Sequence, residues 1–315
     1  MTSALIKQLS AAIVSLKPYT TWGRAMIVVT GATGTVGSEV VSGLRARGER
    51  VRALVRDGSA VPAHWDAGVE TVAADFTDPA SLDRALAGAD AVYVLVAVHP
   101  EMDAHERNVI DAAARTGRRP HLVLHAAAGV GEHAEGVRFL AAHTAGLGCL
   151  GASGLPWTVL APNGFYQNFL GMAPTLHTGR LALPGGTGAV SYVDTRDVAE
   201  AAVAVLTGDG HENAVYTLTG PAALTHTEIA GVLGETVGHP VTYEALDPEA
   251  ALAGMLAAGW DPWRAEGMVE LYGLYASGGA SAVTDDVEKL TGHPARSFAY
   301  FVTEHAAALR AGAAS

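Results

Sequence analysis

The sequence predicts an α/β protein: a doubly wound, mostly parallel sheet with a smaller, mainly helical region after it. Three observations carry this. Short Val/Leu/Ile-rich runs alternate with helix-like segments through the first half of the chain. Continuous Val/Leu/Ile runs such as "MIVVT" and "WTVLAP" suggest strands covered on both faces, and the β-α-β rhythm implies parallel pairing with right-handed crossovers. The first run, "MIVVT", opens directly on glycines spaced G-x-x-G-x-x-G at Gly31, Gly34 and Gly37.

The elements follow in order. Strand-like runs are "MIVVT", "RVRALVR", "VETVAAD", "DAVYVLVA", "HLVLHAAA" and "WTVLAP". Helical spacing of apolar residues predicts helices over 37–47, 79–87, 104–116 and 140–153 between them. After "WTVLAP" the rhythm loosens. Residues 166–190 look irregular, "SYVDTRDVAEAAVAVLTG" reads as strand then helix, and "AVYTLTG" as a further strand. From about Ala222 the chain is mostly helical, interrupted by Gly and Pro, and ends in an amphipathic segment at 298–309. No internal repeat or low-complexity linker occurs.

Composition narrows the function classes. A chain of 315 residues with 49% hydrophobic and 17% charged residues builds a globular core. A formal net charge of −12 argues against a nucleic-acid partner, which needs a basic face. Cys149 is the sole cysteine, so no internal disulfide forms, which suits a reducing cytoplasm. No apolar run approaches the ~20 residues that span a bilayer. Within residues 1–25, Leu5, Leu9, Ile13 and Leu16 recur at helical spacing without the features of a secretory signal. That extension reads as an appended segment outside the fold, or else as a packing arm or homodimer contact.

A strand that ends in a tight glycine turn and opens a helix aims backbone N–H groups and the positive end of the helix dipole at an anion. In a dinucleotide-binding (Rossmann) fold Gly31 makes the turn, Gly34 lets the diphosphate approach, and Gly37 lets helix and strand pack closely. The residue that reads the adenosine ribose is expected at the end of the second strand, ~20 residues on. Arg56 stands there, with Asp57 adjacent. A guanidinium pairs with a 2′-phosphate and a carboxylate with a free 2′-hydroxyl, so Arg56 favours NADP(H) over NAD(H). Arg52 shares its strand face and is expected to converge on the same anion; a solvated strand-end arginine is the competing reading.

"TGATGTVG", "VRALVRD", "AADFTDPASLDRALAGADAVYVL", "SGLPWTVLAPNGFYQNF" and "SYVDTRDVAEAAVAVL" together resemble the NmrA-like proteins, atypical short-chain dehydrogenases/reductases. The similarity runs from Met26 to the C-terminus, and members with this layout often begin at the residue matching Met26. Some members are quinone-type reductases or reductases of secondary metabolism; others bind the cofactor as regulators. The resemblance implies that Thr30 to Gly37, including Thr33, Thr35 and Val36, bind the diphosphate and Arg56 the 2′-phosphate. It implies that Asp75 and Phe76 flank the adenine, and that Val96 and Ala97 line the ribose. His125 and Ala126 would lie near the nicotinamide, with Asn163, Gly164 and Phe165 closing over its carboxamide. Asp75 could instead cap the helix at Pro79, and Asp197 reads as the cap of the helix that follows it. Residues 26–221 would then form the dinucleotide-binding domain, with 166–189 contributing to a substrate pocket, and 222–315 the substrate-capping region.

The sequence departs from short-chain dehydrogenases where their chemistry resides. There is no Tyr-x-x-x-Lys, and the three lysines, Lys7, Lys17 and Lys289, lie outside the helix that should carry it. That helix reads "HTAGLGCLGASG", with glycines where helix formers are expected, and His125 replaces the usual Ser or Thr. A lysine-activated tyrosine is therefore excluded as the acid. Either the substrate carries its own electron sink, as a quinone or iminium does, or His125 or Tyr166 replaces the acid, with His143 and His99 behind them. The third option is cofactor binding without turnover. No metal site is expected: His121 and His125 share a strand face without further ligands, and "HERN" and "GDGHEN" lack a second zincin histidine. The absence of G-x-S-x-G argues against a hydrolase.

Trp260, Trp263, Met268, Tyr272 and Tyr275 suit either a flat aromatic substrate or ordinary core packing. The function expected is thus an NADPH-dependent reductase of a quinone, ketone or imine in an aromatic or polycyclic small molecule. Its rivals are a non-catalytic NADP(H)-binding redox sensor and a redox-neutral isomerase or epimerase.

Overall fold

The apolar runs "MIVVT", "DAVYVLVA", "HLVLHAAA" and "WTVLAP" become buried strands, whereas "VETVAAD" forms an edge strand with none of its residues buried. The computed structural model describes residues 25–56 and 61–311; the helix expected within the N-terminal extension, and Asp57, lie outside them. A seven-stranded sheet has the order β3-β2-β1-β4-β5-β6-β9. Its strands are β1 (Met26–Val29), β2 (Arg50–Val55), β3 (Val69–Ala73), β4 (Ala91–Val94), β5 (His121–His125), β6 (Trp157–Pro162) and β9 (Ala214–Leu218). Pairing is parallel from β3 through β6. The order reverses between β1 and β4, and in such sheets the crevice beyond the strand carboxyl ends at that switch point takes the ligand. Helices α1 (Thr35–Ala46), α2 (Pro79–Leu86), α3 (Met102–Arg115) and α4 (Arg138–Ala152) fall within two residues of their expected limits.

Two compact units result, and their division is discontinuous. The first comprises 25–134, 140–161 and 199–216; the second comprises 135–139, 162–198 and 217–311. The sequence reading placed one boundary near residue 221. Instead, the chain enters the second unit at the end of β6, and α6 (Thr195–Thr207) and β9 each straddle the division. The first unit's core is aliphatic, built from strand residues such as Val28, Val92, Leu122 and Val159, with Leu82, Ile110 and Leu147 from the helices.

The second unit's core is richer in aromatics: Tyr166, Phe169, Tyr192, Tyr275, Phe298 and Phe301. Two small sheets serve it. The first pairs β8 (Ala189–Val190) with β10 (Leu224–Thr225), antiparallel; the second pairs β7 (Arg180–Leu183) with β11 (Thr242–Ala245), parallel. Its helices include α5 (Ala173–Leu176), α7 (His226–Val237), α8 (Pro248–Ala257) and α9 (Pro262–Ala276). Helix α7 begins in a Thr225/Glu228 capping box and ends at Gly238 in the left-handed conformation, satisfying backbone groups at both ends. No helix among the described residues is long and apolar enough to cross a membrane.

Candidate active site

The glycine turn acquires its shape from two close approaches. Gly31 has φ +59°, and a Cβ there would meet Leu95 O at 2.7 Å. At Gly37 a Cβ would meet Gly31 O at 2.2 Å, so only glycine lets α1 start this close to the turn. Gly34 is different. It is the helix N-cap, extended at φ −77°, ψ 171°, and a Cβ there would meet only Gly31 O at 3.3 Å.

No side chain caps α1 and no acidic residue stands in its first turn. Helix geometry leaves the first amides without intrahelical partners, so Thr35, Val36 and Gly37 present N–H groups with the helix dipole behind them. Thr33, Gly34 and Thr35 are exposed and form the open lip. Thr30, by contrast, is fully buried: its hydroxyl accepts from Leu95 N (2.8 Å) and lies 2.9 Å from Leu95 O. It ties β1 to the end of β4 and holds the turn, instead of facing a ligand.

Arg56 stands exposed at the end of β2, with no ion pair to any described residue. The expected convergence of Arg52 fails. Its Nε bonds Glu70 Oε1 (2.9 Å) and its Nη1 bonds Ala85 O and Ala87 O (both 2.8 Å), closing the C-terminus of α2. Asp75 does not cap α2 either. Asp78 does, accepting from Ala80 N at 3.0 Å. Asp75 accepts from the Thr77 amide and hydroxyl (2.8 Å each), which hold its exposed carboxyl below the usual range. Phe76 is half-buried with its carbonyl bonded by Asn108 Nδ2 (2.8 Å); Val96 is buried and Ala97 exposed.

His125 ends β5 at 7% exposure, and a 2.7 Å hydrogen bond joins its Nδ1 to Tyr93 Oη. Burial, with a smaller contribution from nearby His143, pushes its pKa down to about 3, so near neutrality the ring is uncharged. Ala126 beside it is buried, its amide bonded to Leu160 O. The helix that carries Tyr and Lys in the usual dehydrogenases, α4, carries His143 here. Its Nδ1 lies 2.9 Å from Glu106 Oε1 on α3, and Glu106 is fully buried. The sequence reading missed Tyr93 and Glu106. Gly146 held the signal for Glu106, because a Cβ there would meet Glu106 Oε2 at 1.8 Å. The odd glycine in α4 makes room for a carboxylate. Gly148 has nothing within 4 Å, and nothing in the structure explains it.

The remaining candidates belong to the second unit. Asn163 Nδ2 donates to Ser191 Oγ (2.9 Å) and Ala280 O (2.8 Å), and its Oδ1 accepts from Gly164 N (2.9 Å), so its amide is occupied within that unit. A Cβ at Gly164 would strike the Tyr192 ring at 2.6 Å, and half-buried Phe165 bridges to Val193. Tyr166, at 1% exposure, donates to Arg296 O (3.3 Å) and packs on Phe298 and Phe301; burial raises its pKa. That environment suits a core side chain better than an acid.

Asp197 is corrected too. Asp194 closes the first turn of α6, accepting from Arg196 N at 2.9 Å, while fully buried Asp197 takes the Arg296 amide (2.7 Å) and guanidinium. Of the aromatic cluster, Tyr272 and Tyr275 join the second core. Trp263 packs at a tilt against Phe139 (5.3 Å between centroids), and Trp260 is partly exposed beneath Arg264.

A family model, the NmrA-like family, matches residues 24–291. The chain belongs to the NmrA-like family. Among NmrA-like and other curated relatives, an NAD(P)H azoreductase from Xenophilus azovorans is 38% identical, covering 91% of this chain and 100% of the relative. A (4-alkanoyl-5-oxo-2,5-dihydrofuran-3-yl)methyl phosphate reductase from Streptomyces griseus is 37% identical, covering 90% and 99%. Among solved structures, an NADPH-dependent quinone oxidoreductase from Escherichia coli complexed with NADPH has TM-score 0.81 and 28% identity, covering 89% of this chain and 99% of that one.

Proposed function

We propose that this NmrA-like protein is an NADPH-dependent reductase that delivers hydride to a quinone, ketone or imine of an aromatic or polycyclic small molecule, with substrates that carry their own electron sink, as a quinone or iminium does, favoured. One observation carries the reading: the turn after β1 closes on an uncapped helix N-terminus with no acidic residue in its first turn, while Arg56 stands exposed at the end of β2 with no ion pair to a described residue. That donor set fits a diphosphate at the α1 amides and a 2′-phosphate at the guanidinium. NADPH, when bound, supplies the hydride.

The chain's own residues then have limited tasks. Gly31 and Gly37 fix the turn, Gly34 leaves the anion room, and Thr30 braces the loop from behind. His125 enters neutral, oriented through Nδ1 by Tyr93, and can take part in hydrogen bonding without becoming imidazolium. A neutral imidazole is a weak acid, which agrees with a substrate that accepts hydride before it needs a proton. The kinship to an azoreductase and a quinone oxidoreductase supports this substrate class.

The test is NADPH oxidation followed by absorbance against a panel of quinones, azo dyes, ketones and imines. Turnover with at least one class, with NADPH preferred over NADH, is the expected result. Tight NADPH binding without turnover on any of them would replace this reading with the redox sensor.

A further inference from the structure

We infer that the turn entering α3 is a binding site for a divalent transition metal of the zinc type, with His99, Glu101 and His105 as ligands. One ligand atom from each lies within 4.8 Å of the other two. In the sequence the three stand as His-x-Glu-x-x-x-His, a spacing that is neither the strand pair His121/His125 nor a zincin motif. All three residues belong to the first unit, so the geometry is local.

The backbone sets the three side chains in place. Met102 N bonds His99 O (3.0 Å), turning the chain into α3, and His105 N bonds Glu101 O (3.0 Å), which puts Glu101 and His105 one helical turn apart on one side. Glu101 occupies the N-cap position yet makes no side-chain capping bond. Its carboxylate is left for another partner. The His99 and His105 rings stack at 5.5 Å between centroids, 16° from parallel. The decisive atom is His105 Nε2. It is shielded from solvent, has no hydrogen-bond partner among the described residues, and lies 3.9 Å from Glu101 Oε2, too far for a hydrogen bond. A buried ring nitrogen without a partner is costly, and a metal ion shared with the carboxylate would satisfy it.

The chemistry of the set selects the metal class. Two imidazoles and a carboxylate suit zinc and its neighbours rather than magnesium or calcium, which prefer oxygen. Tetrahedral coordination with bonds of ~2.0–2.2 Å places ligand atoms about 3.3–3.5 Å apart, so the three must draw in by roughly an ångström. His99 and Glu101 are exposed, and movement of the His99 ring has to keep or give up the bond its Nδ1 accepts from Glu101 N (3.2 Å), while His105 is held against Phe76 (5.7 Å between centroids). The fourth position would be water. Bound metal would tether the loop after β4 to the first turn of α3.

The experiment uses the tag-free, chelator-treated full chain without NADPH. Calorimetric titration with ZnCl₂ should show one site per chain, and the melting temperature should rise with zinc concentration. Co²⁺ in place of zinc should give the visible spectrum of a tetrahedral ion. His99→Ala and Glu101→Gln sit at exposed positions and preserve the fold; each should weaken zinc about tenfold or more, and the double variant should lose the spectrum. If the double variant binds zinc with unchanged stoichiometry and affinity, or if the wild type shows only several weak sites spread over its histidines, the assignment is wrong. NADPH binding, measured separately on the same samples, bears on the proposed reaction alone.

Discussion

Replacing Gly34 and Gly37 in turn separates a glycine needed for a ligand from one needed for the fold. In Gly37→Ala the added methyl would sit 2.2 Å from Gly31 O and 2.8 Å from its carbonyl carbon, both backbone atoms. Relief requires α1 to move by about 1 Å. Overpacking of this kind costs roughly 1–3 kcal/mol, against which alanine's helix propensity returns less than ~1. A net loss of about 2 kcal/mol lowers the melting temperature by roughly 3 °C in a chain of this size.

Gly34→Ala meets no such obstacle, because its extended backbone accepts any residue and the nearest atom lies 3.3 Å away. Its stability should stay within about 1 kcal/mol of the parent. The methyl instead stands where a diphosphate must close on the amides. Losing two charge-assisted bonds at ~1.5 kcal/mol each weakens the cofactor about a hundredfold. Calorimetry with NADPH and with NADH, beside thermal melts, reads both effects. NADPH affinity in Gly34→Ala equal to the parent's would refute the anion site, whatever Gly37→Ala does.

Further outcomes follow from the same geometry. Arg56→Ala should weaken NADPH about 10- to 100-fold and leave NADH unchanged; equal losses would remove the 2′-phosphate assignment. His125→Phe should lower turnover with NADPH affinity intact. A parent rate profile that rises or falls with a pKa near 6.5 and loses that feature in the variant would contradict a ring already neutral at that pH. Burial depresses His125 to about 3 and both His121 and His226 to about 4, below the ~6.5 of the unfolded chain. The unfolded state therefore binds up to three more protons as pH falls, and stability held above pH 6.5 should drop by up to ~4 kcal/mol per pH unit between about pH 6 and 4.5, read by urea titration. Asp197→Ala strips Arg296 of its buried carboxylate and should cost about 3 kcal/mol in the same assay; a change below 1 would show the pair to be dispensable.

Periodicity and the glycine spacing were enough to locate β1 through β6 and the four helices between them. These features are local: an apolar run or a turn residue reports its own neighbourhood. Side-chain partners are not local. Arg52 belongs to the correct strand face, yet the carbonyls that capture it come from Ala85 and Ala87. Asp197 reads as a cap until Arg296, 99 residues away, supplies the donor. Tyr166 looks as suitable for proton donation as His125 until the rings of Phe298 and Phe301 arrive from the far end of the chain. The Glu106–His143 pair was signalled only by a glycine where a helix former belonged, an absence whose meaning depends on the helix facing it.

The hydroxyl of Thr30 sews the first strand to the fourth at the point where the two diverge, engaging both the amide and the carbonyl of Leu95. The loop above that stitch cannot open without parting the sheet beneath it. Hydrogen exchange at Leu95 should accordingly track global unfolding, and the coenzyme's resting place should behave as rigid architecture rather than as a gate. Arrival of the nucleotide would then order little of the chain, leaving its entropy of association largely that of the nucleotide and the displaced water.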